Sequence, residues 1–174
     1  MRVFAGIAAA AIAIAACSSP AAVSTPTPTP IPTASPTPSP SPTVSNVFKA
    51  ELKSSNEVPP ITGPEATCTG NATVTFTATT AKFDVVISGC PSTTAINIGH
   101  IHEGAAGAAG GVKISTGLAA GDLTLTNGGV TFTRTVTADA ALISTIMANP
   151  AGYYVNFHST AFPVGVIRGQ LVKA

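Results

Sequence analysis

Charge is scarce in this chain, tryptophan is absent, and histidine occurs only three times. Eight Lys and Arg face seven Asp and Glu. That balance argues against nucleic acid as a partner, because phosphate binding needs a clustered positive surface. So few carboxylates are hard to assemble into an acid–base pair. Serine and threonine abound, yet no Gly-x-Ser-x-Gly elbow appears and no nucleophile is matched to a base. Beyond the first sixteen residues, no apolar run is long enough to span a bilayer. These absences favour a non-enzymatic binding or structural module.

What is present begins with a targeting signal over residues 1–16, where Arg2 precedes an unbroken apolar stretch. The stretch is too short for a comfortable transmembrane helix and suits a signal-peptide core. It ends Ile14-Ala15-Ala16-Cys17-Ser18, which resembles the bacterial lipobox. The resemblance implies that Cys17 becomes the acylated first residue of the mature chain, bearing a diacylglycerol thioether. The alternative is an ordinary signal peptide with Cys17 incidental. Burial of acyl chains is worth about 0.8 kcal/mol per methylene, so two or more chains hold a protein on a membrane without crossing it. Ser18 supplies no inner-membrane retention aspartate, which by the same resemblance implies the outer membrane or cell surface.

Residues 17–45 form a tether, almost wholly Pro, Thr, Ser and Ala, with runs such as Thr25-Pro26-Thr27-Pro28-Thr29-Pro30. Alternating proline removes backbone donors and fixes φ, so neither helix nor interior strand is possible. An extended, disordered stalk rising about 3.1 Å per residue is expected.

Residues 46–174 carry the folded domain, about 130 residues and a normal size for one core. Val47, Phe48, Ala50 and Leu52 suggest a first strand. Val74 and Phe76 sit between threonines, and Phe83, Val85 and Ile87 repeat the alternation of one buried and one wet face. Cys68 and Cys90 near the far ends of these two strands suit a disulfide in an exported protein, with a metal–thiolate site as the rival. Further strands are predicted over residues 112–115, 123–126 and 130–136, the last two joined by Asn127-Gly128-Gly129, a hairpin signal. Residues 139–148 are the one helical candidate, stopped by Pro150, and strands over 153–159 and 166–172 close the chain. The sum is an all-β fold: an antiparallel β-sandwich or flattened Greek-key barrel with one short helix.

Candidate chemistry centres on His100-Ile101-His102-Glu103-Gly104. On a strand, His100 and His102 leave from one face. If His158 joins them, three imidazoles with an open fourth position suit copper or zinc, in a metal-handling or redox-related role. Asn156 shares the face of His158 and is placed to orient a ligand. The alternatives are structural histidines bonded to carbonyls of the glycine-rich loop 104–111, or contacts to another ligand. That loop lacks the Lys-Ser/Thr ending of a phosphate-binding loop. Arg168, alone among charges in its strand, is expected to pair with Glu57 or Glu103. Tyr153, Tyr154, Phe157 and Phe162 offer either a recognition surface or, as is usual for strand aromatics, core packing.

Taken together, Asn56-Glu57-Val58-Pro59-Pro60, the histidine stretch with Gly107 and Gly110, Tyr154-Val155-Asn156-Phe157-His158-Ser159, and Gly165-Val166-Ile167-Arg168-Gly169-Gln170-Leu171 resemble a CHRD domain, the module named after chordin. The resemblance implies an extracytoplasmic β-sandwich, as in bacterial exported proteins, and leaves the biochemical role open; beyond the membrane the expected partner is an unidentified protein or polysaccharide. Where that family usually has glutamate, this chain has Val166. A fainter likeness is to copper/zinc superoxide dismutases, which carry a His-x-His-Glu stretch on a sandwich strand. That enzyme needs more histidines than this chain has, so its activity is not carried over.

Overall fold

The structure, a computed structural model, describes residues 46–174. The signal peptide, Cys17 and the tether expected over 1–45 lie outside the described residues. The chain runs β1 (Val47–Lys53), β2 (Thr69–Phe76), β3 (Thr80–Ser88), β4 (Ile96–Glu103), β5 (Val112–Ser115), β6 (Val130–Thr137), α1 (Ala140–Ala148), β7 (Tyr153–Ser159), β8 (Ile167–Gln170) and β9 (Val172–Lys173). Every pairing is antiparallel, in the order β5-β4-β7-β8-β1-β2-β3-β6, with β9 added beside β1.

This sheet curls into a nearly closed barrel. Strands β7 and β6 stand at the third and eighth places of the order, yet the Phe157 and Phe132 rings meet edge to face with centroids 5.7 Å apart. Phe48, Leu52, Val74, Phe83, Ile101, Phe157 and Ile167, drawn from six strands, fill one core. Helix α1 presents Ile143 and Ile146 to the same core. Asp139 caps it by accepting the Leu142 N–H at 2.9 Å, leaving the helix to begin one residue later than the predicted 139.

The expected alternation appears in β3, where Ala81, Phe83, Val85 and Ile87 are buried between outward residues. The register Thr69↔Ser88 brings the residues flanking this pair together, and Cys68 and Cys90 form a disulfide with Cα atoms 4.3 Å apart. Closing that loop contributes about 3 kcal/mol on the chain-entropy view.

Two predicted strands differ. Residues 123–126 form no strand: only the bridge Thr126↔Gly129 closes, around Asn127 and Gly128, both at positive φ. Upstream of it, Asp122 accepts the Ala119 N–H and the Arg134 guanidinium, so side chains rather than a ladder hold this segment. The closing strand over 166–172 is split. The Leu171 N–H turns to the Tyr153 carbonyl at 2.9 Å, after which Val172 and Lys173 pair with β1. Among the described residues, no helix is long and apolar enough to cross a membrane.

Candidate metal centre

Strands β4, β7 and β8 lie side by side, and their two faces differ in chemistry. Ile101, Val155, Phe157 and Ile167 point into the core. The alternate positions face outward: His100 and His102 on β4, Tyr154, Asn156 and His158 on β7, Arg168 and Gln170 on β8. The registers Ile98↔His158, His100↔Asn156 and His102↔Tyr154, with Asn156↔Arg168 alongside, set these side chains in one array. Most of this polar array is nevertheless buried: His102, Tyr154, Asn156, His158 and Arg168 are all enclosed, and His100 is half-buried.

The three imidazoles converge. One ring nitrogen from each of His100, His102 and His158 lies within 4.8 Å of the others. His100 Nδ1 is 3.3 Å from His158 Nε2, close to the spacing that two ligands take around an ion with bonds of about 2 Å.

Backbone carbonyls fix two of the rings. His102 Nδ1 donates to the Gly110 carbonyl at 2.9 Å, and His158 Nδ1 donates to the Pro163 carbonyl at 2.8 Å. A carbonyl can only accept, so each Nδ1 carries the hydrogen and each Nε2 presents a lone pair. His102 Nε2 is buried with no hydrogen-bond partner. Orphaned buried acceptors are uncommon, and this one sits among two other imidazoles. Fixing ring and tautomer through the outer nitrogen is how metal-ligating histidines are ordinarily oriented.

Burial and neighbouring charge favour the neutral form of His100 and His102. Burial, then the proximity of His158 and of His102, pushes His100 down to about 4. Burial also lowers His102, opposed by its bond to Gly110 and helped by His158 and Arg168. Neutral imidazole is the form that binds a cation.

The glycine-rich loop 104–111 supplies the Gly110 carbonyl by folding back onto β4. A Cβ at Gly110 would overlap the Glu103 carbonyl, so no larger residue fits this approach. Arg168 donates to the Ala108 and Ala105 carbonyls at 3.0 and 3.3 Å, Gln170 donates to the Gly104 carbonyl at 2.6 Å, and the Gly110 N–H reaches the Tyr154 hydroxyl at 3.2 Å. Tyr154 also stacks on His102, centroids 5.0 Å apart and planes within 9°.

Two expected roles are corrected. Asn156 orients no imidazole; its Nδ2 donates to Glu57 Oε2 at 3.4 Å, while its neighbours on the sheet face are His100 and Arg168. Arg168 pairs with neither Glu57 nor Glu103, because the loop carbonyls take its N–H groups and Tyr154 lies 3.5 Å beneath its guanidinium. Glu103 leaves from the opposite strand face, as its alternation requires, and pairs there with Lys113 at 2.6 Å. Of the four aromatics, Tyr153, Tyr154 and Phe157 are buried and Phe162 packs partly against the core. The expectation that carbonyls of the glycine-rich loop reach the histidines is met at Gly110, whereas Pro163 and Tyr154 escaped sequence reasoning as contributors to the centre. Period-two alternation puts Tyr154 on the histidine face, but nothing local marks which loop carbonyls reach the rings.

The fold and the centre define an all-β domain that carries a buried three-imidazole cluster on the outer face of its barrel. The family model of the CHRD domain matches residues 48–171, and the chain belongs to that family. No curated protein and no solved structure matches it.

Proposed function

We propose that the chain is an exported, lipid-anchored envelope protein, a non-enzymatic binding module whose domain takes a copper or zinc ion on His100, His102 and His158. The observation that carries the metal reading is the buried, partnerless Nε2 of His102, held beside two further imidazoles by a hydrogen bond on the far side of its ring. An all-imidazole donor set suits copper and zinc and disfavours the oxygen-seeking calcium and magnesium. No carboxylate joins the ligating set, so the three neutral rings leave the ion's charge and a fourth position open to an exogenous ligand. Support for the anchored address comes from the sequence alone: the lipobox-like Ile14-Ala15-Ala16-Cys17 and the proline-rich tether. Two acyl chains on Cys17 would suffice to hold the chain at a membrane.

Calorimetric titration of the chelator-stripped protein with Cu(II) and Zn(II) tests the ion. One equivalent should bind, and His102→Ala and His158→Ala should each weaken it at least a hundredfold. Absence of saturable binding, or binding that survives both substitutions, overturns the reading. Radiolabelled palmitate incorporated by the parent and lost in Cys17→Ser tests the anchor.

A further inference from the structure

A second polar cleft, about 460 Å³, opens beside the loop that covers the histidines. The segment Ser55, Asn56, Glu57, Val58 and Pro60 forms one wall, Ala106 and Gly107 the other, with Arg168 and Gln170 between them. Its volume falls in the range of small-molecule sites.

Two ionisable groups in this cleft stand close together without touching. Arg168 is 3% exposed and Glu57 6%. Glu57 is near enough to feel the guanidinium's charge, yet no carboxylate reaches salt-bridge distance of Arg168. Two of the arginine's five N–H groups serve the Ala105 and Ala108 carbonyls; the other three have no hydrogen-bond partner among the described residues. Glu57 Oε1, of the cleft's lining, is a buried acceptor without a donor, as is the Oδ1 of Asn156, which hydrogen-bonds Glu57 but does not line the cleft. Buried polar groups are ordinarily satisfied, so unpartnered donors on Arg168 and an unpartnered acceptor on Glu57, both lining one cleft, call for a third party.

The chemistry of that party follows from the two signs. Burial raises the Glu57 carboxyl to about 7, so at neutral pH an anion would accept from Arg168 but be repelled by the ionised share of Glu57, and a cation would be repelled by Arg168. A hydroxyl accepts and donates at the same atom, and neighbouring hydroxyls on a ring present both capacities side by side. A peptide amide directs its donor and acceptor in opposite directions and cannot serve both groups at once. Val58, 43% exposed, and Pro60 add an apolar wall suited to the C–H face of a sugar ring.

We propose that the cleft between Glu57 and Arg168 binds a neutral saccharide, whose hydroxyls bridge the guanidinium and the carboxyl. This site is separate from the imidazole cluster and does not depend on metal being bound there.

The test is a titration of the isotopically labelled full chain with maltose, cellobiose and di-N-acetylchitobiose, followed through backbone amide shifts. At least one disaccharide should shift the amides of Asn56, Glu57 and Gly107 saturably. Glu57→Leu, which keeps the volume and removes the acceptor, should weaken that binding at least tenfold. The same variant should fold with an unchanged or higher thermal midpoint and bind Cu(II) or Zn(II) within twofold of the parent, so failure here is distinguishable from failure of the metal reading. The inference is overturned if none of the three sugars gives a saturable shift, if Glu57→Leu binds the sugar as well as the parent, or if acetate or a blocked dialanine peptide binds the cleft more tightly than any sugar.

Discussion

Strands β3 and β7 belong to one sheet but read oppositely. In β3 the sequence Thr-Ala-Lys-Phe-Asp-Val-Val-Ile-Ser alternates, and burial alternates with it. In β7, Tyr-Tyr-Val-Asn-Phe-His-Ser is buried at all seven positions. The difference lies in what covers the outer face. Outside β3 there is water, so the outward positions reach solvent and, Val86 apart, are polar, as at Lys82 and Asp84. Outside β7 the loops 104–111 and 160–166 and the segment 54–60 fold down, so outward polar residues must be satisfied without water. A covered polar face is therefore where ligand chemistry concentrates, and both candidate sites lie on it.

Removing what the two halves share should have the largest effect. Phe157 leaves β7 toward the core and touches Phe132 of β6, closing the barrel between strands distant in the sheet order. Phe157→Ala should lower stability by about 3–5 kcal/mol, the range for truncating a buried phenylalanine. Urea denaturation measures it. A loss under about 1 kcal/mol would mean that the barrel does not close through this ring.

The same contrast explains what could be read from sequence. Along β1, β2 and β3 each residue's environment follows from its own position, because alternation reports a face toward water, and so Phe48, Leu52, Val74 and Phe83 are recognisable as core. The pairing of Cys68 with Cys90 follows from the same hairpin. On β4, two-residue spacing put His100 and His102 on one face, and the same alternation put Glu103 on the other. Convergence of His158 with them depends on β4 pairing with β7, which no local pattern specifies. Arg168 was misread for a related reason. A lone arginine suggests a carboxylate partner, but here backbone carbonyls of a loop some sixty residues away and the face of Tyr154 surround it. The failed strand at 123–126 shows that an Asn-Gly turn closes a bridge without extending it, once side chains hold the flanking chain.

Glu57 sharpens the comparison through pH. Burial raises its carboxyl to about 7, against the opposing pull of Arg168 and the Asn156 hydrogen bond. A carboxyl with a raised folded-state value binds its proton more tightly when folded. Its contribution to stability is thus complete below about 4.5 and is lost as pH rises toward 7. Glu57→Gln cannot ionise and should escape that loss. The stability difference between variant and parent should therefore grow by an amount on the order of 2 kcal/mol between pH 4.5 and 7.5. His100 and His102, whose depressed values give the opposite slope, cancel in this difference when both proteins are measured in chelator. Parallel stability curves would place Glu57 in water.

The smallest effect should come from the charge that faces solvent. Glu103 and Lys113 meet at 2.6 Å with both side chains well exposed. Exposed pairs are screened and contribute little, so Glu103→Gln should move the thermal midpoint by no more than about 2 °C. Its affinity for Cu(II) or Zn(II) should match the parent's, because Glu103 and His102 project from opposite faces of β4. A large drop in either would restore the expectation that Glu103 reaches across to Arg168. Equality of both would locate the working charges of this domain on the covered face, where burial leaves Arg168 and Glu57 only weakly screened.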